Sequence, residues 1–315
     1  MASCEDLTLA GGAPAPVLRR RAKALLGTLV EIGVAAPSEA AFLRATDLAF
    51  ARVAEVHRSM SFHEPGSDLR AIARAPSGAV LQVSADTARV LRLALDMEIR
   101  SGGLFNAAVA PALVENGRLP MPDGAQAPRA RTLADGIEWL GDSRLRVRAP
   151  VWIDLGGIAK GHAVDCAVIA LEASGATSGL VNAGGDMRAF GDAAHPVHLR
   201  FADGLQRVAM LQDAALAASC NAECAADTDS PHIDPRSGRG VRSPQSVMVQ
   251  AFSAAVADAL TKVALLCPAT ADRMCRGLRA EWRAFDHRAP RVEPTATPTT
   301  TPTATPALSP IHGPP

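Results

Sequence analysis

Along the chain, apolar positions switch between a period of two and a period near 3.6, and that switching predicts most of the elements. Residues 28–34 (TLVEIGV) alternate as a strand. Ser38 then stands as an N-cap for a helix over 38–58, with Phe42, Ala45, Ala49, Val53 and Val56 on one face. Residues 84–100 repeat the pattern under Ser84, and Ser101-Gly102-Gly103 stops it. Residues 115–150 carry Pro120, Pro122, Pro128 and Pro150 and read as loop and edge strand. Val151-Trp152-Ile153 reads as a short strand that ends in Asp154 and breaks at Gly156-Gly157. A helix over 158–174 follows, marked by Ala163, Ala167, Ala170 and Leu171 and closed by Gly175. A second apolar run, Leu180-Val181, ends in Asn182-Ala183-Gly184-Gly185-Asp186. Residues 196–211 alternate as a hairpin, 214–219 lead into a polar segment over 221–230, and the strand 246–251 feeds a helix over 254–266.

This order predicts an α+β domain of mixed or antiparallel sheets carrying long helices. The Gly/Pro/Ala-rich residues 1–18 and the Pro/Thr-rich residues 289–315 are expected to be disordered, which leaves a domain over 19–288. With 48% hydrophobic residues in 315, that span can bury a large core. Lys+Arg and Asp+Glu are equal at 32 each, so no basic footprint points to nucleic acid or an anionic membrane. The absence of Tyr removes the stacking platforms that a single-strand nucleic-acid binder uses.

No apolar run approaches the roughly 18 residues of a membrane helix. Glu5 and Asp6 stand where a signal peptide would be basic, so the sequence as it stands is expected to be cytoplasmic. Six scattered cysteines suit a reducing compartment. Cys220-x-x-x-Cys224 has no second pair to complete a zinc site and is read as ordinary thiols.

The candidate chemistry sits in the two glycine turns. Two glycine pairs and two carboxylates, Asp154 and Asp186, fall at the ends of apolar runs, where backbone N–H groups can approach an anion closely. The spacing matches neither G-x-G-x-x-G nor G-x-x-x-x-G-K-S/T, so the residues alone give an anion site of unspecified ligand.

IDLGGIAKGHAVD followed by LVNAGGD resembles the central signature of the ApbE family, flavin transferases that move FMN from FAD onto a target protein. Further matches fall in family order: Leu26-Gly27-Thr28, Met60-Ser61 with Ser67-Asp68-Leu69, and Gly102-Gly103-Leu104-Phe105-Asn106. Ile233-Asp234-Pro235-Arg236-Ser237-Gly238 and Ala257-Asp258-Ala259-Leu260 complete the set, which covers residues 19–280. The resemblance implies an ApbE-like, T-fold-related α+β fold. It also implies a Mg²⁺-dependent transfer of FMN from FAD, through a phosphodiester, to a Thr or Ser of a target flavoprotein subunit, with AMP released.

Carried over residue by residue, the flavin nucleotide would meet Leu26, His63, Leu104, Phe105, Asn106, Asp154, Lys160, Gly184, Gly185, Asp186 and Ile233. His63 stands where the family has an aromatic, and Asn106 where it more often has Asp; Asn106 reads equally well as a helix cap. Without the resemblance, Lys160 is a solvated helix residue and Asp154 and Asp258 are helix carboxylates. His232 is the candidate general base, because imidazole suits removal of a hydroxyl proton near neutrality.

A hard divalent ion would bridge phosphate oxygens between Gly157 and Asp258. The family's threonine ligand four residues after the carboxylate is Lys262 here, with Thr261 one residue earlier. Two outcomes stay open: Asp258 and Thr261 hold Mg²⁺, which is the reading taken, or Lys262 lies against the phosphates as a fixed cation. Two other functions share the same residues, hydrolysis of FAD to FMN and AMP and flavin binding or assembly without turnover.

Overall fold

The computed structural model of the chain describes residues 18–201, 204–220, 230, 232–241, 243 and 245–286. The segments 1–17, 221–229 and 287–315, and with them Cys4, Cys224 and both expected low-complexity ends, lie outside the described residues.

The hairpin β1 (Leu18–Leu25) and β2 (Thr28–Ala35) leads into α1 (Glu39–Met60), α2 (Asp68–Arg74), β3 (Val80–Gln82) and α3 (Ala85–Ser101). The short helices α4 (Ala110–Glu115) and α5 (Leu133–Gly136) and the strands β4 (Ile137–Trp139) and β5 (Arg144–Val147) precede α6 (Ala159–Ala173). Then come β6 (Gly179–Ala183), β7 (Asp186–Phe190), β8 (His195–Phe201), β9 (Gly204–Leu211), β10 (Ala215–Cys220), β11 (Ile233–Asp234) and β12 (Arg239–Gly240). The chain finishes with β13 (Gln245–Ala251), α7 (Ala254–Leu266), α8 (Pro268–Leu278) and β14 (Glu281–Asp286). The architecture is α+β. Its main sheet runs β1-β2-β6-β7-β10-β13-β14, and every described strand pair in it is antiparallel.

The long helices start where the sequence places their caps. Ser38 Oγ accepts from the Ala41 amide at 3.2 Å, Ser84 Oγ from Thr87 at 3.1 Å and Ser253 Oγ from Val256 at 3.3 Å. α1 buries Phe42, Phe50, Val53, Val56 and Met60, each of the larger ones contributing roughly 1.5–3 kcal/mol of transfer free energy. One face of the main sheet carries α6 and α7. The other is covered by the β8–β9 hairpin, whose Val197 and Leu211 meet Ala189, Leu216 and Met248.

Residues 151–153 are not a strand. Val151, Ile153 and Leu155 are buried, but the segment has no ladder partner. Its neighbours meet loops instead, Asp154 N–H donating to Ala107 C=O at 2.8 Å and Pro150 C=O accepting from Arg129 at 2.8 Å. A buried apolar run flanked by Pro150 and Gly156 satisfies burial without a sheet, and periodicity cannot tell these cases apart. β1, β14 and α8 lie where sequence reading placed no element. β1 reads as polar because its cations face outward, Arg21 and Lys23 pairing with Asp47 at 3.0 and 3.5 Å.

α6 and α7 are locked together by Asp165. Its carboxylate accepts from the Ala254 and Ala255 amides at 3.0 and 3.1 Å and from Ser253 Oγ at 2.9 Å, and it pairs with Arg188 of β7 at 2.9 Å. It therefore caps α7 from another helix, placing negative charge at the positive end of the dipole. Gly161 makes the close approach possible, since a Cβ there would lie 2.2 Å from Ala254 O. Asp165→Ala is expected to cost about 2–4 kcal/mol in urea unfolding, because buried amides lose a charged acceptor. A loss below about 0.5 kcal/mol, the range of neutral surface changes, would show that Asp165 is not the lock.

Candidate active site

Two cavities open at the N-terminal end of α6, the first of them also lined by α7. One, of about 410 Å³, is lined by Leu104, Phe105, Asn106, Gly157, His232, Ile233 and Lys262 among others. The second, of about 480 Å³, is lined chiefly by Leu26, Gly27, Met60, Phe62, His63 and Leu119. Asp154, Gly156 and Lys160 line both, so the cavities meet at a polar seam. Each volume lies in the range of small-molecule sites, about 300–1,000 Å³.

Local structure explains who reaches the seam. Leu26 and Gly27 turn β1 into β2 with φ of 57° and 70°, a left-handed pair that carries Leu26 to the second cavity. Asn106 does what a cap does, Oδ1 accepting from Ala108 N at 2.7 Å, while its Nδ2 donates to Arg131 O at 2.8 Å; it also lines the first cavity. Gly184 and Gly185, by contrast, form the two-residue turn between β6 and β7, with φ of 62° and 100°, and line neither cavity. Gly184 is fixed by packing, since a Cβ there would lie 2.7 Å from Thr28 Oγ1. Phe62 is the aromatic of the second cavity, buried against Ala73, Ala110 and Trp152, and His63 lines the cavity beside it.

Beneath the seam lies a buried group of alternating charges. Lys160 Nζ bonds Asp186 Oδ2 at 2.5 Å, with Asp186 1% exposed. Lys262 Nζ bonds Asp258 Oδ1, Ser219 Oγ at 3.0 Å and Thr261 Oγ1 at 3.0 Å. Asp258 is fully buried, and its Oδ2 has no hydrogen-bond partner among the described residues. Burial pushes the Asp258 carboxyl up, but the Lys262 and Lys160 ammoniums outweigh it and hold the group below the usual range. Burial and the Asp258 charge push Asp186 up to about 6 against the pull of Lys160. Asp154 is also raised, by desolvation, with the Gly156 amide opposing. His232 is driven down to about 3 by burial and then by Lys262, so it is neutral near pH 7.

Gly157, Asp258 and Thr261 all lie around Lys262, which stands among them. A Cβ at Gly157 would lie 3.2 Å from Lys262 Cε, which places the lysine stem across the glycine turn and its head on Asp258. Thr261 Oγ1 is spent on Asp258 O at 2.7 Å and on Ser219 Oγ at 2.8 Å. A carboxylate oxygen and two hydroxyls are the donor set of a hard cation, and the ammonium already holds it. As these residues lie, they do not fit a divalent ion. Ser219 was not legible in the sequence, because a serine ending a strand carries no signal until Lys262 is placed beside it.

Among the described residues, no helix is long and apolar enough to cross a membrane. The ApbE family model matches residues 26–283. A FAD:protein FMN transferase of Rhodobacter capsulatus is 29% identical over 288 residues, covering 82% of this chain and 54% of the relative. The chain thus spans about half the length of that relative. The fold is similar to that of a Pseudomonas stutzeri flavinyl transferase ApbE at TM-score 0.73 and 19% identity, covering 87% of this chain and 95% of the other. It is also similar to the flavin transferase ApbE of Vibrio cholerae, at TM-score 0.70 and 22% identity, covering 85% and 93%. With the family model matching most of its length, the chain belongs to the ApbE family.

Proposed function

We propose that the chain is an FAD:protein FMN transferase built on a domain over residues 19–288, with FAD as substrate and a Thr or Ser of a flavoprotein subunit as acceptor. The observation that carries this reading is the pair of cavities meeting at Asp154, Gly156 and Lys160 in a chain of this family. A dinucleotide has two bulky apolar ends joined by a diphosphate. One cavity takes each end, and the seam takes the phosphates.

In this reading the acceptor hydroxyl oxygen attacks the FMN-side phosphorus. The new P–O bond forms as the bond to the bridging oxygen breaks, and AMP leaves with that oxygen. His232, held neutral, can accept the hydroxyl proton, but a pKa of about 3 makes it a weak base, so it serves as base only as far as the negative diphosphate beside it raises that pKa. Lys160 stands at the seam with its charge kept by Asp186 and Asp258, where it offsets charge on the diphosphate. Phe105 and Leu104 exclude water on the first cavity's side. The Mg²⁺ expected at Gly157, Asp258 and Thr261 enters no step, because the residues as arranged do not fit it.

Incubation with FAD and an acceptor flavoprotein domain should yield covalent flavin, seen as in-gel fluorescence, and one AMP per flavin transferred. Lys160→Met should slow this on the order of 10²-fold, the usual cost of removing one fixed electrostatic group. Free FMN with AMP would indicate hydrolysis instead, and no AMP at all would end the enzymatic reading.

His232 supplies a second test. Its pKa is about 3 in the folded chain against an ordinary 6.5, so between these values the unfolded chain binds one proton more. Stability is therefore lost as pH falls through that window. His232→Asn should shrink the drop in urea-unfolding free energy between pH 7 and 5 by on the order of 1 kcal/mol. An unchanged drop would mean that His232 is not held neutral.

A further inference from the structure

We propose that the Lys262 ammonium is the cation of this site in place of a divalent metal ion, so that this chain binds FAD without Mg²⁺. The inference rests on the flavin-transferase reading and adds to it how the diphosphate charge is met. Three observations carry it independently of any ligand.

The first is the donor set. Asp258 Oδ1, Ser219 Oγ and Thr261 Oγ1 converge on one point, and Lys262 Nζ occupies it with all three of its protons engaged. The second is burial. Asp258 has no solvent exposure, so it needs a resident counter-charge, and removing one partner of such a pair is strongly destabilising. The i,i+4 spacing on α7 supplies the partner from the same helix, so no rearrangement of the fold can withdraw it. The third is the shape of the glycine turn. At Gly157 a Cβ would lie 3.2 Å from Lys262 Cε and 3.3 Å from Cγ, so the missing side chain leaves room for the lysine stem. A dication placed among these oxygens would sit within bonding distance of the ammonium that already occupies them.

Lys262 still faces the cavity, with 16% of its side chain exposed, beside Gly157 and His232. Its charge therefore reaches a diphosphate at the seam together with that of Lys160. As a compact point charge with rotatable donors, it can turn one proton from a hydroxyl to a phosphate oxygen and keep Asp258.

Calorimetric titration of the full chain with FAD, once in EDTA and once in excess Mg²⁺, tests this by binding alone. The Kd should differ by less than about threefold between the two, and by reciprocity FAD should not create a Mg²⁺ site. In Lys262→Thr, FAD should bind at least about tenfold more weakly in EDTA, about 1.4 kcal/mol, and Mg²⁺ should restore the affinity. Wild-type binding that is lost in EDTA and regained with Mg²⁺ overturns the inference, as does Lys262→Thr binding FAD unchanged in EDTA. If FAD binds in neither condition, the flavin reading itself fails. The wild-type titrations need no variant, so they decide even if Lys262→Thr does not fold.

Discussion

The site depends on a carboxylate that never touches it. Asp165 projects from α6 and closes the first turn of α7, accepting two of the backbone donors that every helix start leaves unsatisfied, and it holds Arg188 of β7 as well. That contact fixes α7 in rotation and in register against α6. Asp258 and Lys262 ride on α7, and Lys160 rides on α6 ahead of Asp165. Three of the four charges under the seam are thus set by one cross-helix cap, the fourth, Asp186, starting β7, and Gly161 lets the helices come close enough for the cap to form.

Once the helices are fixed, the charges constrain each other. Two carboxylates buried within one another's field cannot both stay ionised without cations, and Asp186 shows the compromise: it is raised to about 6 although Lys160 is bonded to it. Asp258 keeps its charge because two ammoniums attend it. A buried ion pair is weak evidence of stability, since hydrophobic residues of similar volume often do as well. The retention of four such groups beneath a cavity therefore speaks for binding rather than for folding. The charges are desolvated before any ligand arrives, so a ligand phosphate would meet cations that need little reorganisation.

Much of this was legible in the sequence wherever a local signal carried it. Ser38, Ser84 and Ser253 cap helices because a hydroxyl at that spot serves an amide three residues on, a relation confined to one turn. The antiparallel sheet followed from alternating runs such as residues 28–34. What failed was non-local. Residues 151–153 look like a strand because burial alone makes a segment apolar, and only the missing partner shows otherwise. Gly184-Gly185 looked like an anion turn, yet its left-handed pair is what a two-residue hairpin requires. Lys262 was visible as a departure from the family. Where its ammonium goes was not, because Ser219 comes from a strand 43 residues away along the chain.

α6 shows why the central motif reads faintly as a helix. Its core positions are buried almost without interruption from Gly161 to Val168, so it lacks the polar stripe of a surface helix. Each side has work of its own. Lys160 faces the seam, Asp165 caps α7, and His162 with Cys166 turns toward α1 and α3. There His162 Nε2 meets Asp86 Oδ1 at 3.1 Å and Arg52 pairs with Asp86 Oδ2 at 2.6 Å. Burial pushes the Cys166 thiol up to about 11, so it stays protonated, with its Sγ 3.3 Å from His162 Nε2. The polar residues of the motif therefore follow three partners rather than one solvent face, and a helix tied on three sides cannot rotate to relieve a change on one. A substitution on the α1 side would reach Lys160 through the same rigid body that carries Asp165.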